Sequence, residues 1–541
     1  MSRIPKRSGR LARRLTAGAE TMRAIDYFDR GHDIDPDHAC LIDAVSGETL
    51  SFAQVSRLTR QIAAALYAGG FRNQEPIALY GPNSAAMMVA LLAIWRANGQ
   101  WVPVNTRNAI DANAAYLDYV GCSWLFYHSD QSADVMQLKA RVAGLRHFIC
   151  LDRAQDGDLS LDQFIAKVDG DALPDLSDPF GRPHDVVGLF PTGGTTGPSK
   201  GVVVTNSGWG TMIETVAQAV DGRTPAPVSL VVAPISHAAG PVALATLSLG
   251  ATQIILPAFD PAAVLNAIAA YRVTHVYMPP TALYGLLDAR QLADADTSSL
   301  KIFLLVGSPV SPEKLRRAVE IFGPCLCQAY GQVEAPMIVT WLSPEVVAAA
   351  AAGDRPERLS SCGSPTRSVM VGIMDDDGHL LPNGEAGELV VRGALVSREY
   401  YAMAQETADI RTFGWHHTGD IARRDDDGFY YIVDRKKDMI VSGGFNVFTA
   451  EVEAAITELS FVRECAVIGI PDAKWGEAVH AVVVADDIEE AVIIAHAKAR
   501  LGGVKAPKSV AFVTAIPRTA AGKMDKKALR AAHWSGERMV N

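Results

Sequence analysis

Short apolar runs and helix-length segments alternate along most of this chain, and that alternation restricts its architecture more than any other feature. Pro76 to Tyr80 reads as a strand, the turn Gly81-Pro82-Asn83-Ser84 follows, and Ala85 to Ala97 reads as a helix with Ser84 placed to cap it. Val228 to Ala233, Thr252 to Leu256, Thr274 to Met278 and Ile302 to Val306 read as further strands. Between them lie helix-length Pro261 to Tyr271 and Pro312 to Phe322. Such alternation predicts parallel sheets with helices on both faces.

After about Asp434 the pattern changes. Cys465 to Ile470, Ala478 to Val484 and Ser509 to Ala515 read as strands, Ile488 to Leu501 as a helix and Met524 to Ala532 as a short one. At 541 residues the chain is too long for one ordinary core. The expected fold class is α/β. A large N-terminal domain (residues 22–434) has parallel-rich sheets flanked by helices, and a small mobile α+β C-terminal domain spans 435–541. Residues 1–21 are expected to be a disordered, dispensable extension. Arg3, Lys6, Arg7, Arg10, Arg13 and Arg14 all precede the first acidic residue, Glu20, and no apolar core suggests a secretory signal. A transit peptide and a misassigned start are the alternatives.

Composition excludes several classes. With 49% hydrophobic and 20% charged residues the chain is a folded one, and a net charge of −10 gives no support for a nucleic-acid partner. Seven scattered cysteines complete no zinc pattern, so reduced thiols in a cytoplasm are expected. The most apolar stretch, Pro241 to Phe259, is interrupted by Thr246, Ser248, Thr252 and Gln253; it reads as a helix and a core strand, and no membrane span is expected.

Residues 189–201, Leu-Phe-Pro-Thr-Gly-Gly-Thr-Thr-Gly-Pro-Ser-Lys-Gly, follow the strand-like run Val186 to Phe190. Glycine lets backbone N–H groups approach phosphate oxygens; Thr192, Thr195 and Thr196 add hydroxyl donors, and Lys200 a mobile cation. A phosphate clamp and a flexible surface loop are the two readings. A Walker loop is excluded, because Ser199 precedes the lysine and Gly201 follows it. The order Thr-Gly-Gly-Thr-Thr-Gly-x-x-Lys-Gly resembles the signature loop of the adenylate-forming superfamily, which comprises acyl- and aryl-CoA synthetases, peptide-synthetase adenylation domains and beetle-type luciferases. Gly193 stands where the family often has Ser, and Pro198-Ser199 reverses its usual order.

Further segments carry the same resemblance in family order. Gln328-Ala329-Tyr330-Gly331-Gln332-Val333-Glu334 is similar to Tyr-Gly-x-Thr-Glu, with Val333 in place of Thr. The resemblance implies that Glu334 helps hold Mg²⁺ and that Tyr330 lies along adenine. Gly387 to Gly393 resembles a structural strand. His417-Thr418-Gly419-Asp420 resembles the segment whose aspartate grips the ribose hydroxyls, and Arg435 would reach the same ribose. Lys437 takes the hinge position between domains, while Lys436 reads as solvated. Pro517-Arg518-Thr519-Ala520-Ala521-Gly522-Lys523 resembles the carboxy-terminal motif whose lysine contacts both the substrate carboxylate and the α-phosphate.

These likenesses imply ATP, Mg²⁺ and coenzyme A as the small molecules used. Thr195, Glu334 and Lys523 would be catalytic. Thr192, Gly193, Gly194, Thr196, Gly197, Lys200, Tyr330, Asp420 and Arg435 would bind nucleotide, and Gly443 and Gly444 would border the thiol's tunnel. The segment Pro234 to Gly240 is similar to the one beside the acyl pocket, which gives His237, Gly240, Gly307 and Ala329 as pocket residues. Residues 233–241, 305–311 and 328–333 contain no Asp, Glu, Lys or Arg, so the expected acid has an uncharged aliphatic or aromatic tail. The implied activity is acyl-CoA formation through an acyl-adenylate, with loading of a separate carrier protein as the alternative. The expected partner is a small carboxylic acid. A homodimer is admitted, since no residue pattern fixes the oligomeric state.

Overall fold

Helix Ala85–Arg96 shows why the alternation folds as it does. Up to the closing Arg96, which pairs with Asp29, its sequence is apolar on every side, and all of it except Ala86 is buried. A helix with no polar face needs cover all round. It has that cover between two large sheets, and Ser84 caps it, accepting from the Met87 N–H at 3.1 Å. The computed structural model describes residues 22–153, 155, 157–168, 183–192, 199–220, 224, 226–486, 488–518 and 524–534, apart from the side chains at 237, 238 and 241. The basic extension 1–21 lies outside the described residues.

The first sheet has nine strands, in the order 364–365, 340–342, 326–330, 302–305, 275–278, 228–231, 252–255, 39–43 and 49–51. Its six strands from 326–330 to 39–43 are mutually parallel, and the edges are antiparallel. The second sheet has eight strands, in the order 399–400, 201–205, 186–191, 100–104, 76–80, 124–127, 147–150 and 159–160. The largest core joins one face of each sheet through helices 24–34, 52–68, 85–96, 206–220 and 240–247. Helices 261–271, 280–287, 312–322 and 344–351 cover the other face of the first sheet, and helices 110–119 and 132–141 that of the second. A fully antiparallel sheet of strands 369–374, 386–393, 416–424 and 430–435 adds Val369, Leu389, Val391 and Tyr430 to the same core.

Residues 440–512 build a separate small sheet with its own core, around the long hairpin Val462–Asp472 and Gly476–Ala485. The chain is thus α/β, with a large N-terminal part rich in parallel strands and a smaller C-terminal part. Several expected elements shift; the strand expected over Ser509 to Ala515, for one, ends at Phe512. The strand from Val228 leaves the ladder after Val231, so Val232 and Ala233 lead into the loop at its C-terminal end. The helix expected over Ile488 to Leu501 runs Glu490–Lys505 and kinks at Gly502, where φ is +81°. All seven cysteines are free thiols, and among the described residues no helix is long and apolar enough to cross a membrane.

Candidate functional site

In open α/β sheets, ligands collect at the C-terminal ends of the strands. Strands 186–191, 302–305 and 326–330 all deliver site candidates there. The first runs into the Gly/Thr-rich loop, and the second strand of its hairpin, Gly201–Thr205, returns antiparallel. The ends of the loop are tied together: the Thr192 N–H donates to the Lys200 carbonyl at 2.9 Å, and the Lys200 N–H to the Thr192 hydroxyl at 3.1 Å. Gly193, Gly194, Thr195, Thr196 and Gly197 lie outside the described residues.

Two groups of side chains meet beyond this loop. In the first, Asp420 sits in strand His416–Arg424, not in the open Gly-Asp turn that its sequence also allows, and is 1% exposed. One carboxylate oxygen accepts from the Tyr330 hydroxyl at 2.5 Å and from Gln332 Nε2 at 3.0 Å; the other faces Arg435 Nε at 2.6 Å. Asp420 and Arg435 are cross-strand neighbours, which fixes the pair. Burial, and then Asp420, push the Tyr330 phenol far up, so it stays a donor.

The second group centres on Glu334. Its Oε1 accepts from the Tyr400 hydroxyl at 2.7 Å, and its carbonyl from the Ser397 N–H at 2.7 Å. Lys200 Nζ stands 4.9 Å from the centre of the Tyr400 ring. Gln332 links the groups, since it bonds Asp420 and shares with Glu334, Tyr400, Thr418, Gly419 and Lys436 the wall of a cavity of about 380 Å³. Burial, aided by Arg411 and His417, lowers the His416 pKa to about 3, so this imidazole beside Gln332 is neutral.

Glu388, read from sequence as part of a plain strand, is the buttress of this wall. It accepts from the Gly419 N–H at 2.9 Å, and it pairs with His417 at 3.0 Å and Lys436 at 3.1 Å. Burial opposes its ionisation, yet these partners hold its carboxyl below the ordinary range. Lys436 is therefore anchored rather than merely solvated, with Asp376 at 2.7 Å as its second partner. Burial lowers the neighbouring Lys437.

The pocket candidates divide. Gly307 has φ +106° and open space where a Cβ would stand, so it fits a site that must leave room. A Cβ on Gly240 would lie 2.6 Å from the Ile235 carbonyl oxygen, so its small size serves the π-helical turn Ile235–Ala239 that packs behind it. His237 belongs to that turn, and its side chain lies outside the described residues. Ala329 is buried in the core that joins the sheets. Sequence reasoning passed over Tyr277. It packs on that same core opposite Leu304, keeps some exposed surface, and its hydroxyl makes no hydrogen bond among the described residues. Burial alone raises its pKa.

The small sheet carries the remaining candidates. Gly443 and Gly444, with φ +59° and +81°, make the tight turn between strands Ile440–Ser442 and Phe445–Val447. Lys523 lies outside the described residues. Its segment is closed at the base by a bridge between Arg518 and Met524 and by an Asp525 N–H to Pro517 carbonyl bond of 2.8 Å. Next to it, Lys526 pairs with Glu453 at 2.7 Å and donates to the Thr449 hydroxyl at 2.6 Å.

Residues 28–401 match the AMP-binding enzyme family, and residues 451–523 match the AMP-binding enzyme C-terminal domain. The chain is 45% identical to the medium/long-chain-fatty-acid–CoA ligase FadD8 of Mycobacterium tuberculosis, over 65% of this chain and 62% of that ligase. It is 36% identical to a feruloyl-CoA synthase of Amycolatopsis sp, over 90% of this chain and 94% of the synthase. Among solved structures, the amide bond synthetase McbA of Marinactinospora thermotolerans superposes with a TM-score of 0.83 at 30% identity, covering 94% of this chain and 99% of McbA.

Proposed function

The chain belongs to the AMP-binding enzyme family, and on that premise we propose that it is an AMP-forming acyl-CoA synthetase for carboxylic acids with an uncharged tail. The observation that carries this reading is the convergence of Tyr330, Gln332 and Arg435 on the buried carboxylate of Asp420, beside a second carboxylate, Glu334, and the lysine of a Gly/Thr-rich loop. One site thus offers hydroxyl-binding, phosphate-binding and cation-binding groups.

A carboxylate is a poor acyl donor because its oxygen is a poor leaving group. In the first half-reaction the acid's oxygen attacks the α-phosphorus of ATP, and the bond to pyrophosphate breaks. Catalysis of this kind rests on positioning and on neutralising charge. Lys200 and the loop N–H groups hold the triphosphate, Asp420 and Arg435 hold the ribose, and Lys523 bridges the acid and the α-phosphate. Glu334 suits Mg²⁺, which binds one or two carboxylates together with substrate phosphates; Tyr400 occupies one of its oxygens and leaves the other for the cation. The metal supplies charge neutralisation on the phosphates. In the second half-reaction a thiol attacks the acyl carbon and AMP leaves, with the Gly443–Gly444 turn bordering the thiol's path. The region from Arg435 onward acts as the lid, with its hinge at Lys437.

An uncharged tail agrees with the absence of Asp, Glu, Lys and Arg from residues 305–311 and 328–333 and with the burial of Ala329 in the apolar core. The named acids of the two CoA ligases above, a fatty acid and ferulate, support the same class. Incubation with ATP, magnesium, CoA and a panel of acids tests the reading. AMP together with a free acyl-CoA is expected. Acyl transfer only to a carrier protein, or only to an amine, would replace the CoA assignment.

A further inference from the structure

Lys200 and Glu334 carry opposite charges, and both meet one aromatic side chain, that of Tyr400. Lys200 rests against the face of Tyr400, 4.9 Å from the ring centre, and Glu334 accepts the phenolic proton at 2.7 Å. Among the described residues Lys200 makes no ion pair. We propose that Tyr400 is a positioning residue: a spacer that keeps the phosphate-binding lysine and the metal-binding glutamate from pairing with each other, and aims each at its own ligand. The proposal rests on the roles given above to Lys200 and Glu334.

The backbone around Tyr400 suits that task. Glu399 and Tyr400 form a two-residue strand whose register sets Tyr400 opposite Val202, two residues beyond Lys200. The neighbouring Tyr401 N–H donates to the Gly201 carbonyl at 2.7 Å, and the Ser397 N–H holds the Glu334 carbonyl. Arg411 in turn grips the Ser397 carbonyl at 2.5 Å. The segment is thus fastened on one side to the loop hairpin and on the other to Glu334. Tyr400 projects from a frame anchored to both residues that it separates.

A carboxylate has only acceptors, so a donor fixed on Oε1 turns Oε2 outward. An aromatic face holds an ammonium group without neutralising it, so Lys200 keeps its charge for phosphate. Remove the ring, and a side chain that touches both charges is lost.

Two substitutions separate these functions. Tyr400→Phe keeps the face and loses the hydroxyl; Tyr400→Leu loses both. Mn²⁺ affinity is read by water-proton relaxation with ATP present and acid absent, and KM for ATP and for the acid by steady-state kinetics. Tyr400→Phe should weaken Mn²⁺ about tenfold while leaving KM for the acid within about twofold. Tyr400→Leu should weaken Mn²⁺ further and also raise KM for ATP. Unchanged Mn²⁺ affinity in Tyr400→Phe, or identical losses in the two variants, would overturn the spacer. Glu334→Gln is the control. If it leaves Mn²⁺ affinity intact, the metal role of Glu334 fails; if it weakens Mn²⁺ and Tyr400→Phe does not, only the spacer fails.

Discussion

Asp420 and Arg435 face each other across adjacent antiparallel strands, carboxylate oxygen to Nε at 2.6 Å, with the aspartate almost wholly buried and the arginine half exposed. A buried carboxylate already held by a phenol and an amide is pre-oriented, so a ribose can take it without a rotamer search. Asp420→Asn keeps the shape and one acceptor but loses the charge. KM for ATP should rise about tenfold or more, with KM for the acid little changed. Unaltered ATP affinity in steady-state kinetics would remove the ribose role.

Lys523 is assigned to only one half-reaction. Lys523→Ala should abolish adenylate formation and largely spare thioester formation from supplied acyl-AMP. Rapid-quench measurement of each half separates them. Equal loss in both would contradict a division of labour between two orientations of the C-terminal region.

Tyr277 packs against the apolar core, and among the described residues its hydroxyl makes no hydrogen bond. Tyr277→Phe should lower kcat/KM about tenfold for acids with an oxygen on the tail, and leave unsubstituted aliphatic acids unchanged or improved. The same factor for both classes would show that the hydroxyl does not meet the tail.

His416 gives a pH signature. Burial lowers its folded pKa to about 3, against 6.5 for the ordinary imidazole. The unfolded chain therefore takes up this proton first, and stability from this group is intact above pH 6.5 and lost as pH falls towards 3. By pH 5 the loss relative to neutral or alkaline pH is about 2 kcal/mol. Urea unfolding of His416→Gln should show a shallower decline over that range than the parent chain. Parallel declines would contradict a buried neutral imidazole.

The parts of the fold that were legible in the sequence are those with strong local period. Helices Pro261–Tyr271 and Pro312–Phe322 begin with proline and follow short buried strands, and both fall where the pattern places them. The Gly443–Gly444 turn was legible for a similar reason, since two successive positive φ angles favour glycine. The sheet of strands 369–374, 386–393, 416–424 and 430–435 was only partly visible: strand 386–393 was read from its sequence, whereas 416–424 and 430–435 mix polar and apolar residues with no steady period.

The site divides along the same line. Tyr330, Glu334 and Asp420 lie in short contiguous motifs, whereas Tyr400 acts on Glu334 from 66 residues away, on a two-residue strand with no pattern of its own. Gln332 was in view but without a role, because its partners Thr418 and Asp420 come from another sheet. Gly240 was taken for an open space because residue size alone does not reveal the Ile235 carbonyl behind it.

Pyrophosphate release by the purified protein, given ATP, magnesium and one acid at a time with CoA withheld, is the most direct test of adenylate chemistry in this chain. Release that requires the acid, with a matching burst of acyl-AMP for at least one uncharged-tail acid, is the predicted result. No release with any acid of a broad panel, from protein that still binds ATP, would contradict it.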